Sequence, residues 1–380
     1  MPKTNKRKHL KNSNTVSKIL LLFFLLSIGT VKNLNAQTFG GGDGLSKATA
    51  YEIYTKAHLQ ELSDSIINTS IPPNPNNWTS GKHFRLMNNI DNVDFIIGGG
   101  NLLNTWRYLR GHFHGGGNKI TLAISSSIST AHHYVALFTG LANGSIDSLE
   151  VDGFVTNTAA NSYAHTSGIV GLMNSNSVVS NSINNAKITS YSYTATGIAA
   201  NAENGTIINC VNNSKISGYH LAAGITLFIT SDGMILNCIN NGEIVINTVS
   251  HPYSSSGASG IVIGVSGIAS VLNCINLGTI TGTAKYYHPS AISGTAGIAC
   301  FVNSGTMSKI SNNINYGFVQ GINNVGSIVG VLQGAATVEN NFNSGVVIGD
   351  ENVGCIIGLI TGNGTVINNH YDKQMCGEED

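Results

Sequence analysis

Gly260-Ile261-Val262-Ile263 is followed, twelve residues after Ile261, by Asn273, and three residues later by Asn276. Six other stretches repeat this arrangement. Their anchors are Gly168-Ile169-Val170-Gly171, Gly197-Ile198-Ala199-Ala200, Gly224-Ile225-Thr226-Leu227, Gly297-Ile298-Ala299-Cys300, Ser327-Ile328-Val329-Gly330 and Cys355-Ile356-Ile357-Gly358. The first asparagines are Asn181, Asn209, Asn237, Asn312, Asn340 and Asn368, and the second ones are Asn184, Asn212, Asn240, Asn315 and Asn343. One such unit cannot bury its apolar face alone, so a repeat of this length signals units stacked into a solenoid. We expect an all-β right-handed parallel β-helix with a small helix-containing N-terminal cap. The anchor isoleucines should form one buried column.

The spacing shows which part of each coil is packed. From anchor Ile to first Asn it is 12, 11, 12, 12, 14, 12 and 12 residues. From the second Asn to the next anchor Ile it is 14, 13, 21, 22, 13 and 13. The second interval therefore contains a loop that can grow without disturbing the core, and its long insertions fall at 248–257 and 283–294. Asparagine suits the constant part for two reasons. It tolerates the left-handed backbone of a coil corner, and stacked amides can hydrogen-bond along the array. Asn181, Asn209, Asn237, Asn273, Asn312, Asn340 and Asn368 are read as this structural ladder. A degenerate copy precedes the seven, with Leu137-Phe138 at the anchor and Ser148 at the ladder position.

Composition agrees with many short strands. Of 380 residues 42% are hydrophobic and 10% charged, with 45 Gly and 6 Pro; such a chain is neither charge-rich enough for disorder nor proline-rich enough to block ladders. Residues 1–36 hold seven basic residues and no acid, with an apolar run over 19–28 and Leu34-Asn35-Ala36 before Gln37. That is the pattern of a secretory signal peptide. Its removal leaves 12 basic residues (19 less 7) against 19 acidic ones. With no basic stripe to contact phosphates, a nucleic-acid partner is not expected, nor is a membrane span after cleavage. The expected organisation is signal peptide 1–36, capping region 37–104, solenoid 105–371 and tail 372–380, in a secreted or cell-surface protein. Within the cap, Thr55 should begin a helix over 56–65 with Leu59, Leu62 and Ile66 on one face. Strands are expected at 51–54 and 83–87. Cys210, Cys238 and Cys274 follow ladder asparagines and should be buried free thiols, because in-register side chains run parallel rather than toward each other.

The run Gly205-Thr206-Ile207-Ile208-Asn209-Cys210-Val211-Asn212-Asn213-Ser214-Lys215-Ile216-Ser217-Gly218 resembles the GLUG-motif repeats of secreted and surface bacterial proteins. Trp106, Phe113-His114-Gly115 and Ile120 resemble the segment that leads into such repeats, with His114 in the usual Asp place. Tyr371-Asp372-Lys373-Gln374-Met375 resembles the segment that closes them in Bacteroidetes proteins. The resemblance spans most of 45–376. It implies the solenoid fold and carries over no catalytic residues. GLUG repeats also accompany the catalytic part of some immunoglobulin A1 peptidases, but the His-Glu-x-x-His zinc motif of those enzymes is absent from this sequence.

Function is less legible. Glycoside hydrolysis needs two carboxyl groups at a set separation, and Glu203, Glu243 and Glu339 occupy unlike positions in their repeats. We therefore expect no enzyme activity, cofactor or bound metal. His112 and His114 alternate on a strand and face one side, either as an incomplete metal pair or as a polar strand face. Aromatic residues recur just before successive anchors. Tyr163, Tyr191, Tyr193, Tyr219, Tyr253, Tyr286 and Tyr287 should line one flank, as a binding surface for a glycan or an extracellular protein or as loop anchors packed on the solenoid. A carbohydrate-active β-helix enzyme, or a stalk for a missing C-terminal module, stands as the alternative.

Overall fold

The computed structural model describes residues 39–69, 78–100, 107–127, 133–159, 163–246, 250–251, 256–282, 285–286, 293–303 and 307–376. The expected signal peptide, Trp106, the loop prolines at 72, 73 and 75, Tyr253 and Tyr287 lie outside these residues.

Parallel strands stack into a β-solenoid of about nine turns. One turn illustrates the path. Thr194–Thr196 belongs to the sheet called C here, and Gly197-Ile198 turns the chain into Ala199–Glu203 of sheet D. Asn204 turns it into Thr206–Ile208 of sheet A, and Asn209 into Val211–Asn212 and then Ile216–Gly218 of sheet B. Each strand pairs with its equivalent one repeat away, so Val170, Ala199, Thr226, Val262, Ala299, Val329 and Ile357 form a continuous row across sheet D.

The anchor isoleucines occupy the inward vertex between sheets C and D. Ile169, Ile198, Ile225, Ile261, Ile298 and Ile328 are fully buried, Ile356 nearly so, and all seven belong to one core cluster. The column read from sequence is thus the spine of the molecule.

The two asparagines have different tasks. Asn181, Asn209, Asn237, Asn273, Asn312, Asn340 and Asn368 are exposed and have φ between 50° and 57°. They make the left-handed corner between sheets A and B, as does Ser148 in the degenerate copy. From Asn273 back to Asn181 each Nδ2 donates to the preceding coil's Oδ1, at 3.1 to 3.2 Å. The second asparagines are wholly buried. Asn184 donates to Asn212, which donates to Asn240, then Asn276, Asn315 and Asn343, at 2.7 to 2.9 Å. Each Nδ2 also donates to the carbonyl two residues on, such as Gly278 O for Asn276, which fixes the amide's orientation. Because the corner role is conformational, Asn273→Gly should leave stability nearly unchanged. Asn273→Ala should lower it by about 1 kcal/mol, from the left-handed strain on a residue with a Cβ. Urea denaturation of the two variants checks this, and equal losses would refute the corner role.

The anchor glycine makes room for the buried ladder. A Cβ on Gly260 would stand 2.2 Å from Gly297 O and 2.4 Å from Asn276 Oδ1. On the other side, a Cβ on Gly278 would meet Asn240 Nδ2 at 2.7 Å. The amides run through a slot that is kept open by missing side chains.

Sheets C and D fold back on each other outside the vertex, and the notch between them is filled. Leu221, Leu227, Ile263, Cys300, Phe301 and Val331 form a second apolar cluster there, joined by Tyr193, Phe228 and Leu359. The thiols of Cys210, Cys238, Cys274 and Cys300 are buried and free, and burial raises the pKa of Cys210, Cys238 and Cys300. Cys355 and Cys376 form a disulfide that ties the last anchor to the 3-10 turn Lys373–Cys376.

Stacking begins earlier than the expected cap boundary. Tyr51–Ile53 pairs in parallel with His83–Leu86, which pairs in turn with His112–His114, so the capping region contributes strands to sheet A. The helix α1 (Lys56–Thr69) is four residues longer than expected and buries Leu59, Leu62 and Ile66. Thr55 Oγ1 accepts from His58 N at its start. The free edge of Tyr51–Ile53 is covered by the glycine-rich segment, where Gly40 N donates to Glu52 O and Glu52 N to Gly41 O. Covering an edge in this way hides backbone groups that would otherwise pair with another chain.

Candidate functional site

The aromatic flank is built on the leading ends of the sheet C strands. Tyr134 and His165 are in register, and their rings stack at 5.3 Å between centroids. Tyr193 precedes Thr194, the register partner of His165, and its ring meets three others edge-on: His165 at 5.9 Å, Tyr163 at 5.4 Å and His220 at 5.6 Å. Tyr219 meets His220 at 4.5 Å. The result is a continuous run of rings across four coils. His165 Nδ1 lies 3.0 Å from Thr194 Oγ1, which holds its plane.

The run has two layers. Tyr134 is buried beside Leu172 and Ala200, and burial pushes its phenol up to about 12. Tyr193 packs on the notch cluster, and its phenol is raised first by burial and then by Tyr163. Tyr193, and Tyr134 outside the seven, thus take the packing role, one of the two left open for these rings. Tyr163 and Tyr191 form the outer layer, at 66% and 53% exposure, and Tyr219 is half-buried. Tyr286 lies on Lys285–Tyr286, which pairs in parallel with Ser250–His251. The two long insertions are therefore in parallel register at these two residues.

A second polar constellation lies on the outer face of sheet A, where the capping strands meet the first coils. His83 and His112 are register partners, and so are Arg85, His114 and Asp147 in the next row but one. His114 Nδ1 is 2.5 Å from Asp147 Oδ2, and His114 Nε2 is 3.0 Å from His83 Nδ1. His112 Nδ1 is 2.9 Å from Ser145 Oγ, and the His83 and His112 rings stack at 4.5 Å. Lys47 Nζ stands 3.7 Å from the other oxygen of Asp147, and Arg85 donates to Lys47 O. Burial, then the neighbouring imidazoles, lowers the pKa of His83; burial, then His114, lowers that of His112.

This geometry answers the question left open for His112 and His114. Both lie on the outer face, but His114 is buried and both of its nitrogens are engaged. It cannot pair with His112 around a metal ion. Among the described residues no three His, Cys, Asp or Glu side chains converge as a metal-binding group. Sequence reading missed His83, although His83-Phe84-Arg85 and His112-Phe113-His114 share a polar-Phe-polar pattern that aligns them.

No family model and no curated protein matches this chain. Among solved structures it is similar to the crystal structure of a candidate immunoglobulin A1 protease from Bacteroides ovatus. The TM-score is 0.52 at 18% identity, over 88% of this chain and 87% of that one. At that identity the likeness shows a shared fold. Among the described residues no helix is long and apolar enough to cross a membrane.

Proposed function

We propose that this chain is a secreted, non-catalytic β-solenoid of the GLUG-repeat kind, which binds an extended surface polysaccharide or a cell-surface protein through its aromatic flank. The observation that carries the reading is the continuous run of rings from Tyr134 to Tyr219, with Tyr163 exposed against the packed Tyr193 and Tyr191 exposed two residues before Tyr193. Rigid aromatic platforms bury large area at low entropic cost, and one platform per coil suits a ligand that is itself a repeating chain. The protease description of the Bacteroides ovatus protein is not carried over, since these 380 residues contain no His-Glu-x-x-His.

The test is a glycan and extracellular-protein array, probed with the wild type and the double variant Tyr163→Ala/Tyr191→Ala. Contacts on successive coils act together, so the double variant should lose binding at least tenfold while each single change weakens it slightly. Both side chains are exposed, so the melting temperature should stay within about 2 °C of wild type. Undiminished binding by the double variant would place the site elsewhere.

A further inference from the structure

We propose that His83 and His112 form a two-imidazole chelate for a borderline divalent transition-metal ion such as Cu²⁺ or Zn²⁺. The argument is one of tautomers. An ionised carboxylate only accepts hydrogen bonds, so Asp147 requires a proton on His114 Nδ1. That leaves His114 Nε2 with a lone pair, and its 3.0 Å partner, His83 Nδ1, must be the donor. The His83 and His114 ring planes lie 11° apart with centroids 5.3 Å apart, so the two nitrogens sit on the line between the rings and face each other. No ion fits between them. The proton on His83 Nδ1 leaves the lone pair of that ring on Nε2. His112 has Nδ1 engaged by Ser145, and Nε2 is its remaining nitrogen as well.

Among the described residues neither Nε2 has a protein partner, and neither is a buried atom without one. Two solvent-reaching imidazole nitrogens thus belong to rings stacked at 4.5 Å on register-paired residues. Metal–nitrogen bonds of about 2.0–2.1 Å can bridge nitrogens up to about 4 Å apart, so a chelate closes when the two stacked rings tip their Nε2 atoms toward one point. The backing is what metal-binding histidines ordinarily have: the second nitrogen held by a carboxylate, directly or in relay, or by a hydroxyl. The charges around the pair are Asp147, its ion-pair partner Lys47, and Arg85, which donates to Lys47 O. They sum to one positive charge, which limits the site to modest affinity with water in the open positions.

The experiment uses the full chain without an affinity tag. Cu²⁺ is titrated under electron paramagnetic resonance, and Zn²⁺ binding is measured by competition with a chromophoric chelator. One equivalent of Cu²⁺ should bind with hyperfine structure from two nitrogens. His83→Asn and His112→Asn should each weaken Zn²⁺ binding at least tenfold. Asp147→Asn, which removes the group that sets the tautomers without removing a ligand, should weaken it about tenfold. His370→Asn, an exposed histidine far along the array, should change nothing. Melting curves recorded without metal separate lost ligands from lost folding. The proposal is overturned if wild-type affinity is weaker than about 100 µM, if the spectrum shows no two-nitrogen site, or if His83→Asn and His112→Asn bind as wild type does. Any of these would leave the stacked imidazoles as a purely structural contact.

Discussion

Replacing Ile261 with alanine is expected to lower the free energy of unfolding by about 2–5 kcal/mol. Ile261 is fully buried at the vertex between sheets C and D, in a column with Ile225 and Ile298. The main chain there cannot collapse into the space left behind. Gly260 has no room even for a Cβ beside Gly297 O and Asn276 Oδ1, and the strands on both sides are locked in register with their neighbours. The cavity should therefore persist and the loss fall in the upper half of that range. Repeats couple only to adjacent repeats, so amide exchange should accelerate most in the coils containing Ile225, Ile261 and Ile298. A denaturation midpoint that shifts by less than the equivalent of about 1 kcal/mol would remove Ile261 from the core position assigned to it.

Asn276→Ala should cost about 3 kcal/mol, several times the cost of Asn273→Ala three residues earlier. Asn276 Nδ2 donates to Gly278 O and Asn315 Oδ1, and its Oδ1 accepts from Asn240 Nδ2. Truncation leaves the first two acceptors without this donor, in a site that water does not reach. Each buried group so abandoned costs about 1–3 kcal/mol. The slot at Asn276, bounded by Gly260 and Gly317, is too narrow for a compensating side chain. Paired denaturation curves for Asn273→Ala and Asn276→Ala decide the matter. Losses of similar size would mean that the corner and the ladder are not separate devices.

Much of the fold was legible because every coil presents the same environment to the same position. A row of seven isoleucines at a nearly constant offset from seven asparagines allows only a stack, and the left-handed corner follows from the side chain that tolerates it. The filled notch was harder to see. Leu227, Ile263 and Cys300 sit beside core-facing Thr226, Val262 and Ala299 and face the other way, so the strands of sheet D read as continuous apolar runs whichever side is covered. The flank was half legible: ring recurrence marked the loops, but only the depth of Tyr134 and Tyr193 in the notch separates anchors from exposed platforms. The imidazole pair depends on strand register between residues 29 positions apart, in the part of the chain that lacks the repeat.

The asparagine ladders carry one more consequence, an electrostatic one. Inside, the amides of Asn184 to Asn343 all donate toward higher residue numbers. Outside, Asn209, Asn237 and Asn273 donate toward lower ones, and so do Asn213 and Asn241. An amide carries a dipole of about 3.5 D, and a file of them aligned head to tail adds up as it does along an α-helix. Across the coils from Asn181 to Asn276 the inner and outer files oppose one another, so each of these coils contributes axial dipoles of both signs. Duplicating such a coil lengthens the array while the two files offset each other, and the polarisation that strengthens hydrogen bonds along each file adds little net dipole there.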